Sequence, residues 1–139
     1  MLKTYYSNSY KETQDMAFEF AKSISDKCVI AFEGDMGAGK TCFVNGFAKG
    51  MGYECAVSSP TFSIVNEYRG GRLDIFHFDM YRIEDWESLY TTGYFEYLEE
   101  NGVLLIEWSE NITNALPEDT IFIKIEKIDN NSRKISINR

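Results

Sequence analysis

Gly34-Asp35-Met36-Gly37-Ala38-Gly39-Lys40-Thr41 decides the fold. Every fixed position of GxxxxGK[ST] is present, and the pattern acquires its meaning from what stands on either side. Before it, Cys28-Val29-Ile30-Ala31-Phe32 is a continuous apolar run, as expected for a strand buried on both faces of a parallel sheet. After it, Phe43, Val44, Phe47, Ala48 and Met51 recur at helical spacing, and Gly50 and Gly52 offer places for that helix to end. The glycines let successive backbone N–H groups turn around phosphate oxygens, and the helix points its positive end at the same anion. Lys40 then reaches the β- and γ-phosphates, and the Thr41 hydroxyl becomes a magnesium ligand. Strand, loop and helix in that order predict an α/β fold of the P-loop NTPase type: a three-layer sandwich whose central sheet is largely parallel, with additional antiparallel strands.

Outward from the loop, the spacing predicts a helix after Ser9-Tyr10-Lys11-Glu12, where hydroxyl and carboxylate cap each other's backbone donors. Ala17, Phe20, Ala21 and Ile24 form its inward face. Residues 62–68 and 73–79, rich in β-branched and aromatic side chains, are predicted antiparallel strands joined at Arg69-Gly70-Gly71-Arg72. Residues 84–100 carry weaker helical signals broken at Gly93, Val103 to Ile106 is a second buried-type strand, and residues 120–126 and 134–138 form a closing hairpin around Asp129-Asn130-Asn131.

With 139 residues, 44 % hydrophobic and 15 % aromatic, the chain is expected to form one domain over residues 1–139. Its apolar runs fall far short of the ~20 residues of a membrane helix, and no signal peptide is apparent, which places the expected location in the cytoplasm. Cys28, Cys42 and Cys55 lack CxxC spacing and read as reduced packing residues. The formal charge of −8 disfavours direct gripping of nucleic acid, so any such substrate is expected on a partner.

The loop needs an acidic companion for its metal, and two carboxylates close strand patterns: Asp79 after Leu73-Asp74-Ile75-Phe76-His77-Phe78, and Glu107 after Val103-Leu104-Leu105-Ile106. Strand ends are where ligands bind in open α/β sheets. Taken singly, either is as readily a solvated acid or a cap; together they point to holding the metal and positioning water. The single histidine, His77, lies inside a strand pattern and reads as a hydrogen-bonded structural residue rather than a base. Trp108 is either core or a stacking surface, and Glu96, Glu99 and Glu100 read as a solvated helix face.

Three further stretches carry a resemblance: Ser58-Ser59-Pro60-Thr61-Phe62-Ser63-Ile64-Val65-Asn66-Glu67-Tyr68, His77-Phe78-Asp79-Met80-Tyr81-Arg82 and Leu105-Ile106-Glu107-Trp108-Ser109-Glu110. With residues 34–41 they make the chain resemble the TsaE family, formerly YjeE, over nearly its whole length. The resemblance implies an ATPase that uses ATP and Mg2+ and works with TsaB and TsaD to make threonylcarbamoyladenosine beside the anticodon of tRNAs reading codons that begin with A. It does not itself transfer the group and meets tRNA only through those partners. Carried over by position, Lys40, Thr61, Asp79 and Glu107 are the catalytic set, Thr61 lying with Pro60 in a switch-like loop near the γ-phosphate. Asp35, Gly37, Ala38, Gly39, Lys40, Thr41 and Cys42 wrap the phosphates, Cys42 standing where many such helices carry a second hydroxyl residue. Thr41, Asp79 and Glu107 are the metal set. Trp108 is implied close to the nucleotide, and Tyr10, Thr13 and Arg133 around the base. Three alternatives compete: a small-molecule kinase with Arg72 or Arg82 as a lid arginine, disfavoured by the absence of a lid insertion; a GTPase, disfavoured by the absence of an Asn-Lys-x-Asp stretch; and a nucleotide-gated interaction module whose hydrolysis is slow and whose output is binding a partner, which overlaps with the favoured reading.

Overall fold

A computed structural model describes residues 1–34, 39–54 and 64–139. Strand β1 (Leu2–Ser7) leads into helix α1 (Tyr10–Lys22), then β2 (Cys28–Glu33) and α2 (Lys40–Gly50). The hairpin of β3 (Val65–Tyr68) and β4 (Asp74–Asp79) follows, then the short helices α3 (Trp86–Thr91) and α4 (Tyr94–Tyr97). Next come β5 (Gly102–Glu107), a 3-10 helix (Ser109–Ala115), and the hairpin of β6 (Ile121–Lys127) and β7 (Arg133–Asn138).

Among the described residues the strands form one sheet in the order β1-β7-β6-β2-β5-β4-β3. Its centre is parallel, with β2 paired to both β5 and β6 and β4 paired to β5. The edges are antiparallel: β3 on β4 at one side, and β7 between β6 and β1 at the other. The expected α/β architecture is the observed one.

Two cores explain why the central strands read as unbroken apolar runs. On one face Ile30 and Phe32 of β2 and Val103 and Leu105 of β5 pack with Phe43, Val44 and Phe47 of α2 and with Ala17 and Ala21 of α1. On the other, Val29, Leu104, Ile106, Phe76 and Phe78 meet Leu89, Tyr94 and Ile112. Strands covered on both faces need apolar residues at every position. In β6 only Ile121, Ile123 and Ile125 are buried, in alternation with Phe122, Lys124 and Glu126, because only one face is packed there.

The start of α1 differs in one detail from the expected reciprocal cap. Ser9 accepts from the Glu12 N–H at 3.1 Å, but the Glu12 carboxylate accepts from Asn8, one residue earlier than the capping box requires. Gly93 does break the helical segment, standing between α3 and α4. Glu100 is not simply solvated: it accepts from Arg69 of the β3–β4 turn at 3.1 Å, beside Glu67 and Asp74.

Candidate functional site

The chain leaves β2 at Gly34 and enters α2 at Gly39, and both have backbone that needs glycine. Gly34 has φ 131, and a Cβ there would run into the Ile125 carbonyl; Gly39 has φ 105. Among the described residues helix α2 starts without a side-chain cap hydrogen bond and without an acid in its first turn. Lys40 and Thr41 open this helix. Asp35, Gly37 and Ala38 of the loop lie outside the described residues, as do Thr61 and Cys55.

The two carboxylates meet. Asp79 and Glu107 are register partners at the C-terminal ends of the parallel neighbours β4 and β5, and β5 is in turn beside β2. Because side chains alternate along a strand, Asp79 shares a face with Ile75, and Glu107 with Val103 and Leu105, which is the face covered by α2. Asp79 Oδ1 accepts the Tyr81 N–H at 2.9 Å, and Glu107 Oε2 lies 2.7 Å from His77 Nε2. His77 is therefore a buried, hydrogen-bonded residue, and its partner is one of the candidate acids.

Trp108 follows Glu107 with φ 59 and ψ 40, a left-handed conformation uncommon for a bulky side chain. The turn sets its ring 5.8 Å from Lys40 Nζ and 4.8 Å from the Tyr81 ring. Ser109 Oγ donates to the Phe32 carbonyl at the end of β2, and Asn111 donates to the Met80 and Tyr81 carbonyls. These bonds tie the 3-10 helix after β5 to the end of β2 and to the loop after β4. Sequence reading missed Ser109 and Asn111; short polar residues after a strand give no signal of which carbonyl they will reach.

A pocket of about 140 Å³ adjoins the start of α2, with Ser9, Tyr10, Thr13, Gly39, Cys42 and Arg133 in its wall. It brings Thr13, Cys42 and Arg133 together from α1, α2 and β7. Asn130 and Asn131 complete it, residues recognised in the sequence only as a turn. Arg133 donates to the Asp129 and Ser132 carbonyls and passes 3.6 Å from where a Gly39 Cβ would stand. Ser7 Oγ donates to the Ser9 carbonyl and lies 2.7 Å from Thr13 Oγ1, so the proton between the two hydroxyls comes from Thr13. Thr13 thus presents lone pairs rather than a proton. The Cys42 thiol donates to the Tyr10 carbonyl, and burial pushes its pKa up to about 11. A larger cavity of about 510 Å³, walled by Tyr5, Phe20 and Arg139 among others, contains none of the candidate residues.

The kinase alternative loses one of its arginines. The Arg72 guanidinium is bound at 2.6 Å to the carbonyls of Ala21 and Ile24, fastening the end of α1.

No group of three or more His, Cys, Asp or Glu gathers among the described residues.

Fold and site define an α/β protein of the P-loop class, with its glycine-rich loop between a central parallel strand and a helix and paired carboxylates on the neighbouring strands. The family model described as threonylcarbamoyl adenosine biosynthesis protein TsaE matches residues 7–135. The chain belongs to the TsaE family. It is 40 % identical over 126 residues to the tRNA threonylcarbamoyladenosine biosynthesis protein TsaE of Bacillus subtilis strain 168, spanning 91 % of this chain and 78 % of that protein. The TsaE protein of Rickettsia prowazekii is 38 % identical over 133 residues, 95 % of this chain and 92 % of its own. In structure the chain resembles Bacillus subtilis YdiB, with a TM-score of 0.81 and 32 % identity over 99 % of this chain and 84 % of that one. Among the described residues no helix is long and apolar enough to cross a membrane.

Proposed function

We propose that this chain is a magnesium-dependent ATPase of the cytoplasm that supports, with TsaB and TsaD, the threonylcarbamoyladenosine modification of tRNAs reading codons that begin with A, without itself transferring the group. The observation that carries this reading is the register pairing of Asp79 on β4 with Glu107 on β5, the strand beside the one that feeds Gly34 to Thr41. Its place in tRNA modification is supported by family membership over residues 7–135.

In this reading the backbone N–H groups of residues 37–42 surround the phosphates, and Lys40 places its ammonium against the β- and γ-oxygens. Trp108 covers that ammonium from one side and excludes water. Thr41, Asp79 and Glu107 supply oxygens for magnesium and for the water that attacks. Magnesium, when bound, offsets the charge that develops on the phosphate oxygens. Thr13 and Arg133 flank the base, Thr13 accepting rather than donating, which suits the amino group of adenine. Thr61 is assigned to the γ-phosphate by family likeness alone. The charge of −8 supports contact with tRNA through the partners rather than directly.

The test combines the purified chain, TsaB, TsaD and an unmodified tRNA, and counts rounds of threonylcarbamoyl transfer. Sustained turnover is expected only with the wild-type chain and ATP, and not with Lys40→Ala. Equal turnover without the chain, together with no association between it and the partners, would overturn the assignment.

A further inference from the structure

We propose that His77 is a positioning residue that fixes Glu107 for hydrolysis, an inference that rests on the assignment of Glu107 to the ATPase site. His77 lies two residues before Asp79 on β4, opposite Leu105, so Glu107 is its diagonal neighbour on the same face of the sheet. The Nε2 to Oε2 distance is 2.7 Å, with the His77 side chain 1 % exposed and the Glu107 side chain 14 % exposed. A carboxylate only accepts, so Nε2 carries the hydrogen and donates it. The other ring nitrogen, Nδ1, is buried without a hydrogen-bond partner among the described residues.

That orphan nitrogen separates a working imidazole from a packing ring. Ile75, Phe76 and Phe78 of the same strand are fully buried and apolar, and a ring there for bulk alone would be better served by phenylalanine. The imidazole gives up one nitrogen's solvation and uses the other on Glu107. By holding Oε2, it stops rotation of the carboxylate and leaves Oε1 as the oxygen available for water or metal. Asp79 is held in the same manner, one oxygen bound by the Tyr81 N–H. Both acids therefore stand with orientation fixed before any ligand arrives, the arrangement expected of groups that orient ligands from outside the contact shell.

The chain contains a single histidine, so its ring can be read without ambiguity. Long-range 15N–1H spectra of the wild-type protein are expected to show the Nε2–H tautomer with an unprotonated Nδ1, and that pattern is expected to shift in Glu107→Ala. In single-turnover hydrolysis of magnesium–ATP, His77→Phe is expected to slow the rate constant by about 10- to 100-fold. Magnesium-free ADP affinity should stay within about twofold, since the phosphate loop is untouched. His77→Gln, whose amide N–H reaches Oε2, is expected to recover most of the rate. In a Glu107→Gln background His77→Phe should add less than about twofold, as two residues acting as one unit require. An Nδ1–H tautomer, a His77→Phe rate within twofold of wild type, or a His77→Gln as slow as His77→Phe would each overturn the proposal. Absence of ATP hydrolysis by the wild-type chain would instead overturn the ATPase reading, and the nitrogen spectra would still decide how Glu107 is held.

Discussion

Replacing Trp108 by glycine and by alanine is expected to reverse the usual order of stability between those two residues. At φ 59 and ψ 40 the residue sits where an L side chain meets its own backbone, at about 1–2 kcal/mol. Either substitution removes the edge-to-face contact with Tyr81 at 4.8 Å, worth about 0.5–1.5 kcal/mol. Either also removes the Lys40 ammonium contact at 5.8 Å, near the outer limit of such interactions and worth about 0.5 kcal/mol. Alanine loses both contacts, and the packing of the half-buried indole against the second core, and keeps the strain, so Trp108→Ala should be at least about 1–2 kcal/mol less stable than wild type. Glycine loses the contacts and relieves the strain, offset in part by its larger unfolded-state entropy, so Trp108→Gly should exceed Trp108→Ala by about 1 kcal/mol. At this chain length that is about 3 °C in melting temperature. Urea unfolding followed by far-ultraviolet circular dichroism reads the difference without relying on the indole removed. An alanine variant as stable as the glycine variant would mean that Trp108 is not held in the left-handed region. Strain beside a candidate site is a form of preorganisation, here aiming the indole at Lys40.

Asp79→Asn and Glu107→Gln should each slow magnesium–ATP hydrolysis by about 100-fold while changing magnesium-free ADP affinity by no more than about threefold, because a neutral amide keeps the shape but not the charge. Normal hydrolysis in both would make these acids structural. Arg133→Ala should weaken ATP binding by about 5- to 30-fold through loss of the guanidinium beside Gly39, read by titration calorimetry, whereas unchanged affinity would remove Arg133 from the base pocket. The Cys28 and Cys42 thiols, pushed up to about 11 by burial, should react with iodoacetamide at neutral pH about a hundredfold more slowly than in the urea-unfolded chain. The native rate should keep rising with pH up to about 11, while the unfolded rate levels off near 9. Equal rates at neutral pH, by mass spectrometry, would contradict the burial account.

The parts of the fold legible in the sequence are those where one local signal suffices. An unbroken apolar run followed by a glycine-rich loop and a 3.6-residue repeat leaves little choice for β2 and α2, and Asp129-Asn130-Asn131 marks the last hairpin by its turn chemistry. Asp79 and Glu107 were visible as acids ending strands. Their adjacency was not, because it depends on β4 and β5 pairing across the 27 positions from 80 to 106, in the register Asp79 with Glu107. The same holds for His77: its role follows from a diagonal contact, and the sequence shows only a polar residue among apolar ones. Trp108 carried no sign of its backbone, since positive φ is normally announced by glycine or asparagine. Nor did the 3-10 helix after it, whose polar residues resemble any loop until Ser109 and Asn111 are seen holding the Phe32, Met80 and Tyr81 carbonyls.

The central claim is that residues 34–41 and the start of α2 bind the phosphates of ATP through Lys40. Calorimetric titration of magnesium–ATP into the wild-type chain and Lys40→Ala tests it most directly. One site per chain is expected in the wild type, with affinity lowered by about 30-fold or more in the variant, as loss of a charge-assisted contact to two phosphates requires. Equal affinity in a folded Lys40→Ala, or no saturable binding by the wild type, would contradict it.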